Sequence, residues 1–175
     1  SYQSGEIRWD LGGATPIFNQ WIGTCKELLT ICVLGAGNGW DAINFASRGH
    51  KVTAVDFAET AVKNMQASAF KNDLKMDIQH MDIFDLHKVY TNYFDVVLEY
   101  TCFCAIDPSK RRDYLGMVHH ILKPKGELVG LLFPIDKDLS EGGPPYAVKL
   151  KPTIKLISEY LYPIKQEISS LSIKS

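Results

Sequence analysis

The stretch Ile31-Cys32-Val33-Leu34-Gly35-Ala36-Gly37-Asn38-Gly39-Trp40, followed by Lys51-Val52-Thr53-Ala54-Val55-Asp56, decides the fold. Four apolar residues rich in β-branching read as a strand covered on both faces, and three alternating glycines let the chain turn and approach a ligand that a Cβ would block. A helix starting near Trp40 would point its free N–H groups at the same place. A second strand over 51–55 then delivers Asp56, 21 residues after Gly35, where a carboxylate is expected to accept hydrogen bonds from ribose hydroxyls. Strand, turn and acid together read as a cradle for a nucleoside cofactor.

The glycine spacing separates two cofactor classes only in part. Dinucleotide sites favour G-x-G-x-x-G, whereas this chain has G-x-G-x-G and carries Trp40 where the third glycine would stand. The pattern leans toward S-adenosylmethionine. The glycines alone also fit a tight strand-to-helix loop that binds nothing.

With 175 residues and 46% apolar composition the chain suits one well-buried domain, expected to span residues 1–175 with a cap segment over 1–30. Lys plus Arg number 19 against 20 for Asp plus Glu, so no basic excess argues for nucleic acid or an anionic membrane. The expected partner is a small molecule, and the protein is expected to be a monomer or weak dimer. Cys25, Cys32, Cys102 and Cys104 lack the spacing of a zinc site and read as free thiols in the cytoplasm; no metal is expected. No apolar run approaches bilayer length. The chain opens at Ser1, and only Thr30 separates a helical pattern over 18–29 from the first strand, so residues are expected to be missing at both places.

Apolar strands alternate with amphipathic helical segments, the pattern of an α/β structure with a mainly parallel sheet and helices on both faces. Strands are predicted over 31–34, 51–55, 76–79, 94–99, 127–133, 167–170 and 172–174. The last two would form an antiparallel hairpin at one edge, giving seven strands. Helices are predicted over 18–29, from Trp40, and over 58–70, 109–122 and 153–162. Asp107-Pro108 is a plausible stop and cap, and Lys123-Pro124-Lys125-Gly126 ends the fourth helix, because proline forbids its continuation.

The carboxyl ends of the strands carry the candidate chemistry. After the third comes His80-Met81-Asp82-Ile83-Phe84, where Asp82 would accept from an adenine amine while Ile83 and Phe84 cover its faces; an Asp capping a turn is the competing reading. After the fourth comes Glu99-Tyr100-Thr101-Cys102-Phe103-Cys104-Ala105-Ile106. Tyr100 would face a sulfonium, and Cys102 and Cys104 read as pocket wall. Arg8-Trp9-Asp10 with Thr15-Pro16 reads as a cover, and Phe133-Pro134-Ile135-Asp136 leads to Gly142-Gly143-Pro144-Pro145-Tyr146, a rigid closing loop.

Taken together, these segments resemble the thiopurine methyltransferase superfamily, nearest to its halide, thiocyanate and thiol methyltransferases. The resemblance runs from about Trp9 to Tyr146. It implies a Rossmann-like class I methyltransferase fold, S-adenosyl-L-methionine as cofactor and S-adenosyl-L-homocysteine as product. It implies cofactor contacts from Trp9, Gly35, Gly37, Asp56, Phe57, Asp82, Ile83 and Tyr100, with Tyr100 the residue nearest the chemistry. Phe103, Arg111 and Tyr146 would shape the acceptor side, although Arg111 and Arg112 read more readily as solvated helix residues. Two family features, an N-terminal tryptophan-bearing helix and a Gly-Arg-Glu-Lys tail, are not in this chain.

The implied reaction is in-line displacement by a soft nucleophile, which needs little acid or base. A thiol with a pKa of about 8.5 is already partly ionised, and thiocyanate or halide fully so. A thiopurine-type aromatic thiol methyltransferase is the first alternative, and a nicotinamide-dependent oxidoreductase and a non-catalytic cofactor-binding module are the more distant ones. A nucleic-acid methyltransferase is disfavoured by the charge balance and the lack of an Asn-Pro-Pro-Tyr signature.

Overall fold

The structure, a computed structural model, describes residues 12–167. Among them five strands form one parallel sheet in the order β3-β2-β1-β4-β5. These are β1 (Thr30–Leu34), β2 (Lys51–Asp56), β3 (Asp77–His80), β4 (Phe94–Glu99) and β5 (Leu122–Gly130). The three inner strands are buried almost throughout, which is why they read as apolar runs rather than alternating ones, while β3 at the edge is half-buried or exposed.

Helices cover both faces. On one, α1 (Pro16–Thr24), α2 (Trp40–Ser47) and α3 (Glu59–Lys71) bury Phe18, Ile22, Phe45, Val62 and Met65 against Ile31, Val33, Ala54 and Leu98. On the other, α4 (Cys102–Ala105) and α5 (Arg111–Ile121) bury Phe103, Tyr114, Leu115 and Val118 against Cys32, Leu34 and Val97, and α6 (Leu150–Ile157) adds Leu156 and Ile157. Each fully buried side chain of this size contributes about 1.5–3 kcal/mol. The chain reverses between β1 and β4, so the crevice outside their carboxyl ends is the place where ligands bind in such sheets.

Three sequence expectations need correction. The first helix was expected to run to residue 29 but ends at Thr24, whose hydroxyl turns back onto the Trp21 carbonyl at 2.7 Å. Residues 25–29 therefore supply the connection into β1 that the sequence pattern lacked. The fifth strand runs from Leu122 to Gly130 rather than over 127–133. Phe94 pairs with Leu122 and Val96 with Glu127, so 123–126 bulge opposite Asp95, with Lys125 at φ 67°. The proline-glycine signal marked that bulge, not the end of pairing. Finally, the sheet of the described residues has five strands and no antiparallel edge. Glu167 is not in a strand, and the rest of the predicted hairpin, 168–174, lies outside the described residues.

The other helices fall close to their predicted places. Asp107 caps as expected, its carboxylate accepting from Ser109 N–H at 2.8 Å, and a short 3-10 turn, Pro108–Lys110, leads into α5. The last helix begins three residues early, because Pro152 is tolerated within a first turn, and it ends at Ile157 rather than at 162.

Candidate active site

The turn after β1 uses the left-handed region at Gly35, Gly37 and Gly39. At Gly35 a Cβ would lie 2.5 Å from the Cys102 sulfur, so glycine is required both by φ and by the approach of the β4 loop. Gly39 caps α2, and a Cβ there would lie 2.5 Å from Met65 Cγ. Gly39 thus does the close helix packing that the sequence reading had assigned to the absent third glycine at position 40.

Asp56 closes this turn from the end of β2. It is 5% exposed; Oδ2 accepts from Gly37 N–H and Oδ1 from Ala58 N–H, both at 2.8 Å. Each oxygen keeps a second lone pair. The acid therefore both builds the cradle and has acceptor capacity left for a ligand's hydroxyls. Phe57, the next residue, is 79% exposed at the same edge, and its carbonyl lies 3.0 Å from His80 Nε2.

Asp82 lies one step further along this edge, because Met81 N–H donates to the Asp56 carbonyl at 3.1 Å. Its carboxylate caps the 3-10 turn Ile83–Lys88, accepting from Phe84 N–H at 3.0 Å. The capping reading of Asp82 holds, and the exposed carboxylate has a second oxygen to spare. Ile83 and Phe84 are half-buried against the α5 side of the core.

Tyr100 leaves β4 toward the α1 face. Its ring meets Phe18 edge-on at 5.9 Å and Phe133 at 5.6 Å, and its hydroxyl is buried with no hydrogen-bond partner among the described residues. Burial and the nearby charge of Asp41 push the phenol up to about 12. An orphaned buried hydroxyl costs about 1–3 kcal/mol, so something normally satisfies it. Asp41, in the first turn of α2, accepts from both the N–H and the hydroxyl of Thr15 at 2.7 Å. That clamp ties the segment entering α1 to the start of α2, and the sequence reading noticed Thr15 but not its partner.

The remaining candidates sit differently. Phe103 is 2% exposed, edge-on to Tyr114, with the Arg111 guanidinium 4.5 Å above its ring. Arg111 is not the solvated helix residue anticipated. It is 8% exposed and donates two hydrogen bonds to the Ala147 carbonyl at 3.2 Å, because the closing loop folds over the start of α5. Arg112 does face solvent, paired with Glu159. Tyr146 is half-buried against Gly143, and its N–H donates to the Cys104 carbonyl at 2.6 Å. Trp9 lies outside the described residues.

Glu99 carries more of the site than its sequence position suggested. It is 1% exposed; Oε1 accepts from Phe103 N–H at 2.9 Å and Oε2 from the Tyr114 hydroxyl. Burial pushes its carboxyl up to about 7 despite those bonds. Cys102 and Cys104 are also pushed up by burial and by Glu99, Cys104 to about 11, so both thiols are protonated near neutrality. Among the described residues there is no cluster of three metal-ligating side chains and no helix long and apolar enough to cross a membrane.

The thiopurine S-methyltransferase family model matches residues 1–170. The chain belongs to that family. A probable thiol methyltransferase 2 of Arabidopsis thaliana is 32% identical over 160 residues, covering 90% of this chain and 69% of the relative. Thiocyanate methyltransferase 1 of the same plant is 32% identical over 160 residues, covering 89% and 66%. The chain thus spans about two thirds of the length of these curated relatives.

Among solved structures, the 1,6-didemethyltoxoflavin-N1-methyltransferase of Burkholderia thailandensis, with 1,6-didemethyltoxoflavin and S-adenosylhomocysteine bound, aligns with a TM-score of 0.65 at 24% identity. It covers 74% of this chain and 56% of that one, a likeness of fold. Family and fold are those of Rossmann-like, S-adenosylmethionine-dependent methyltransferases.

Proposed function

We propose that the protein transfers a methyl group from S-adenosylmethionine to a small soft nucleophile: a thiol, thiocyanate, hydrogen sulfide or halide. The observation that carries this reading is the buried, unpartnered Tyr100 hydroxyl just after β4, the strand that neighbours β1 and its Gly35 turn. A phenol oxygen is an acceptor suited to a cationic sulfur or a methyl group polarised by it. The bound cofactor supplies that electrophilic methyl group.

The residues of the chain do the rest. Gly35 and Gly37 leave room for the cofactor's backbone-facing side, and Asp56 accepts its ribose hydroxyls. Phe57, Ile83 and Asp82 border the adenine, and Tyr100 orients the reacting centre. Phe103, Arg111 and Tyr146 act from behind, by holding the closing loop over the acceptor. With the Cys102 and Cys104 thiols protonated, transfer runs directly to the acceptor rather than through an enzyme cysteine. Rate acceleration then comes from alignment in a dry pocket. One domain over 1–175 fits the single sheet, and four free cysteines fit a reducing cytoplasm.

The decisive assay is methyl transfer from labelled S-adenosylmethionine to iodide, thiocyanate, sulfide, an organic thiol and a thiopurine, with volatile products trapped separately. Transfer to one or more of the first four, reduced about tenfold or more in Tyr100→Phe, is the expected result. Cofactor binding without transfer to any acceptor would reduce the protein to a binding module. Selective transfer to the thiopurine would move the acceptor to aromatic thiols.

A further inference from the structure

Tyr100 and Glu99 leave β4 on opposite faces of the sheet, as successive strand residues must. Tyr100 reaches the α1 face, while the Glu99 carboxylate receives the Phe103 N–H at the start of α4 and the Tyr114 hydroxyl from α5. The chain thus leaves β4, passes through Tyr100 and Thr101, and is fastened back onto the preceding side chain within four residues. From the β5 side, the Leu131 N–H donates to the Glu99 carbonyl at 3.0 Å, so both ends of the residue are fixed.

We propose that Glu99 is the positioning residue of the site: its charged carboxylate holds the loop through residues 100–104 in the conformation that presents the Tyr100 hydroxyl to the crevice. This rests on the proposed function only in taking Tyr100 to face the cofactor.

The titratable and charged groups around Glu99 are Cys102 and Cys104 on its own loop, Tyr114 and Arg111 on α5, Cys32 on β1 and Asp56 on β2. Burial raises all three thiols and the Tyr114 phenol, so they stay protonated near neutrality, while Glu99 is pushed up only to about 7. Protonation places a hydrogen on one of its oxygens, so the Tyr114 hydroxyl must reverse from donor to acceptor and the Phe103 N–H is left with a neutral, weaker acceptor. The loop is therefore held more tightly above that pH than below it. By linkage, cofactor binding is favoured by the charged form and in turn favours it.

Nuclear magnetic resonance and calorimetry across pH test this together. In the 15N-labelled protein the Phe103 amide and the Tyr100 ring signals should titrate with one midpoint near 7, and Glu99→Gln should abolish both transitions. S-adenosylmethionine affinity should weaken about tenfold between about pH 8 and pH 6, and by less than about twofold in Glu99→Gln. Tyr114→Phe, which removes one donor to the charged form, should raise the midpoint and serves if Glu99→Gln fails to fold. A Tyr100 signal that ignores the transition, or an affinity with the same pH dependence in both proteins, overturns the proposal. Absence of cofactor binding at every pH would sink the proposed function, while the coupled Tyr100 and Phe103 signals would still decide the role of Glu99.

Discussion

Asp56 and Glu99 end strands on either side of β1, and both are buried carboxylates whose oxygens fasten backbone at the same edge of the sheet. They differ in what they fasten. Asp56 binds two backbone N–H groups close by, Gly37 in the glycine turn and Ala58 in its own turn, and each oxygen keeps a second lone pair. Glu99 binds one backbone N–H and a phenol fifteen residues away on a helix, enclosed on the opposite face. The first acid is the one proposed to meet the cofactor; the second is proposed to act through the loop it holds. Proximity to the edge alone does not distinguish a binding carboxylate from a positioning one.

The contrast can be broken most forcefully through stability. With burial raising Glu99 from 4.5 to about 7, the folded protein holds this proton more tightly than the unfolded chain. Its stabilising contribution is complete below about pH 4.5 and is lost as pH rises through 7, a difference of about 3 kcal/mol for that shift. Glu99→Gln has no proton to lose. Urea unfolding at pH 5 and pH 8 should therefore show wild type losing up to about 3 kcal/mol more than the variant over that interval. Groups common to both proteins cancel in the comparison. Equal slopes would mean that Glu99 is not the buried proton-binding group, and the distinction from Asp56 would collapse. The same charge that orders the loop thus costs fold stability, a trade found at functional sites.

Asp56 sharpens the comparison from the other side. Asp56→Asn keeps one acceptor for Gly37 or Ala58 but replaces the other oxygen with a donor. Cofactor affinity by calorimetry should fall about 100-fold, because ribose hydroxyls lose a charged acceptor. Unfolding free energy should fall by only about 1–2 kcal/mol. A variant that binds S-adenosylmethionine as tightly as wild type would leave Asp56 a residue that only fastens the turn.

The position of Asp56 beside the glycine turn was legible in the sequence because it depends on local spacing: strand, glycine turn, strand, acid. The inner strands were legible for a related reason, since burial on both faces leaves an unbroken apolar run, and β4 was predicted with the bounds it has. Glu99 was quoted in its motif without a role, because its value comes from Tyr114 and from enclosure, neither of which has a sequence period. Arg111 was misjudged for the same reason, as the Ala147 carbonyl that buries it lies 36 residues on. At β5, Lys123-Pro124-Lys125-Gly126 carries the composition of a turn, and only pairing with Phe94 reveals a bulge inside a longer strand.

The smallest effect joins the two regions directly. Gly35 in the cradle and Cys102 in the Glu99-held loop meet so closely that a Cβ on residue 35 would stand 2.5 Å from the sulfur, at a backbone φ of 54°. Gly35→Ala should cost about 2 kcal/mol in unfolding, part from the left-handed backbone and part from the clash. Cys102→Ala removes only the clash, so the double variant should recover about 1 kcal/mol relative to the sum of the single changes. Such coupling is expected only if the loop sits against the cradle in solution. Strict additivity in a denaturant-unfolding cycle would separate the two regions, and Glu99 could then hold its loop without placing Tyr100 over the cofactor.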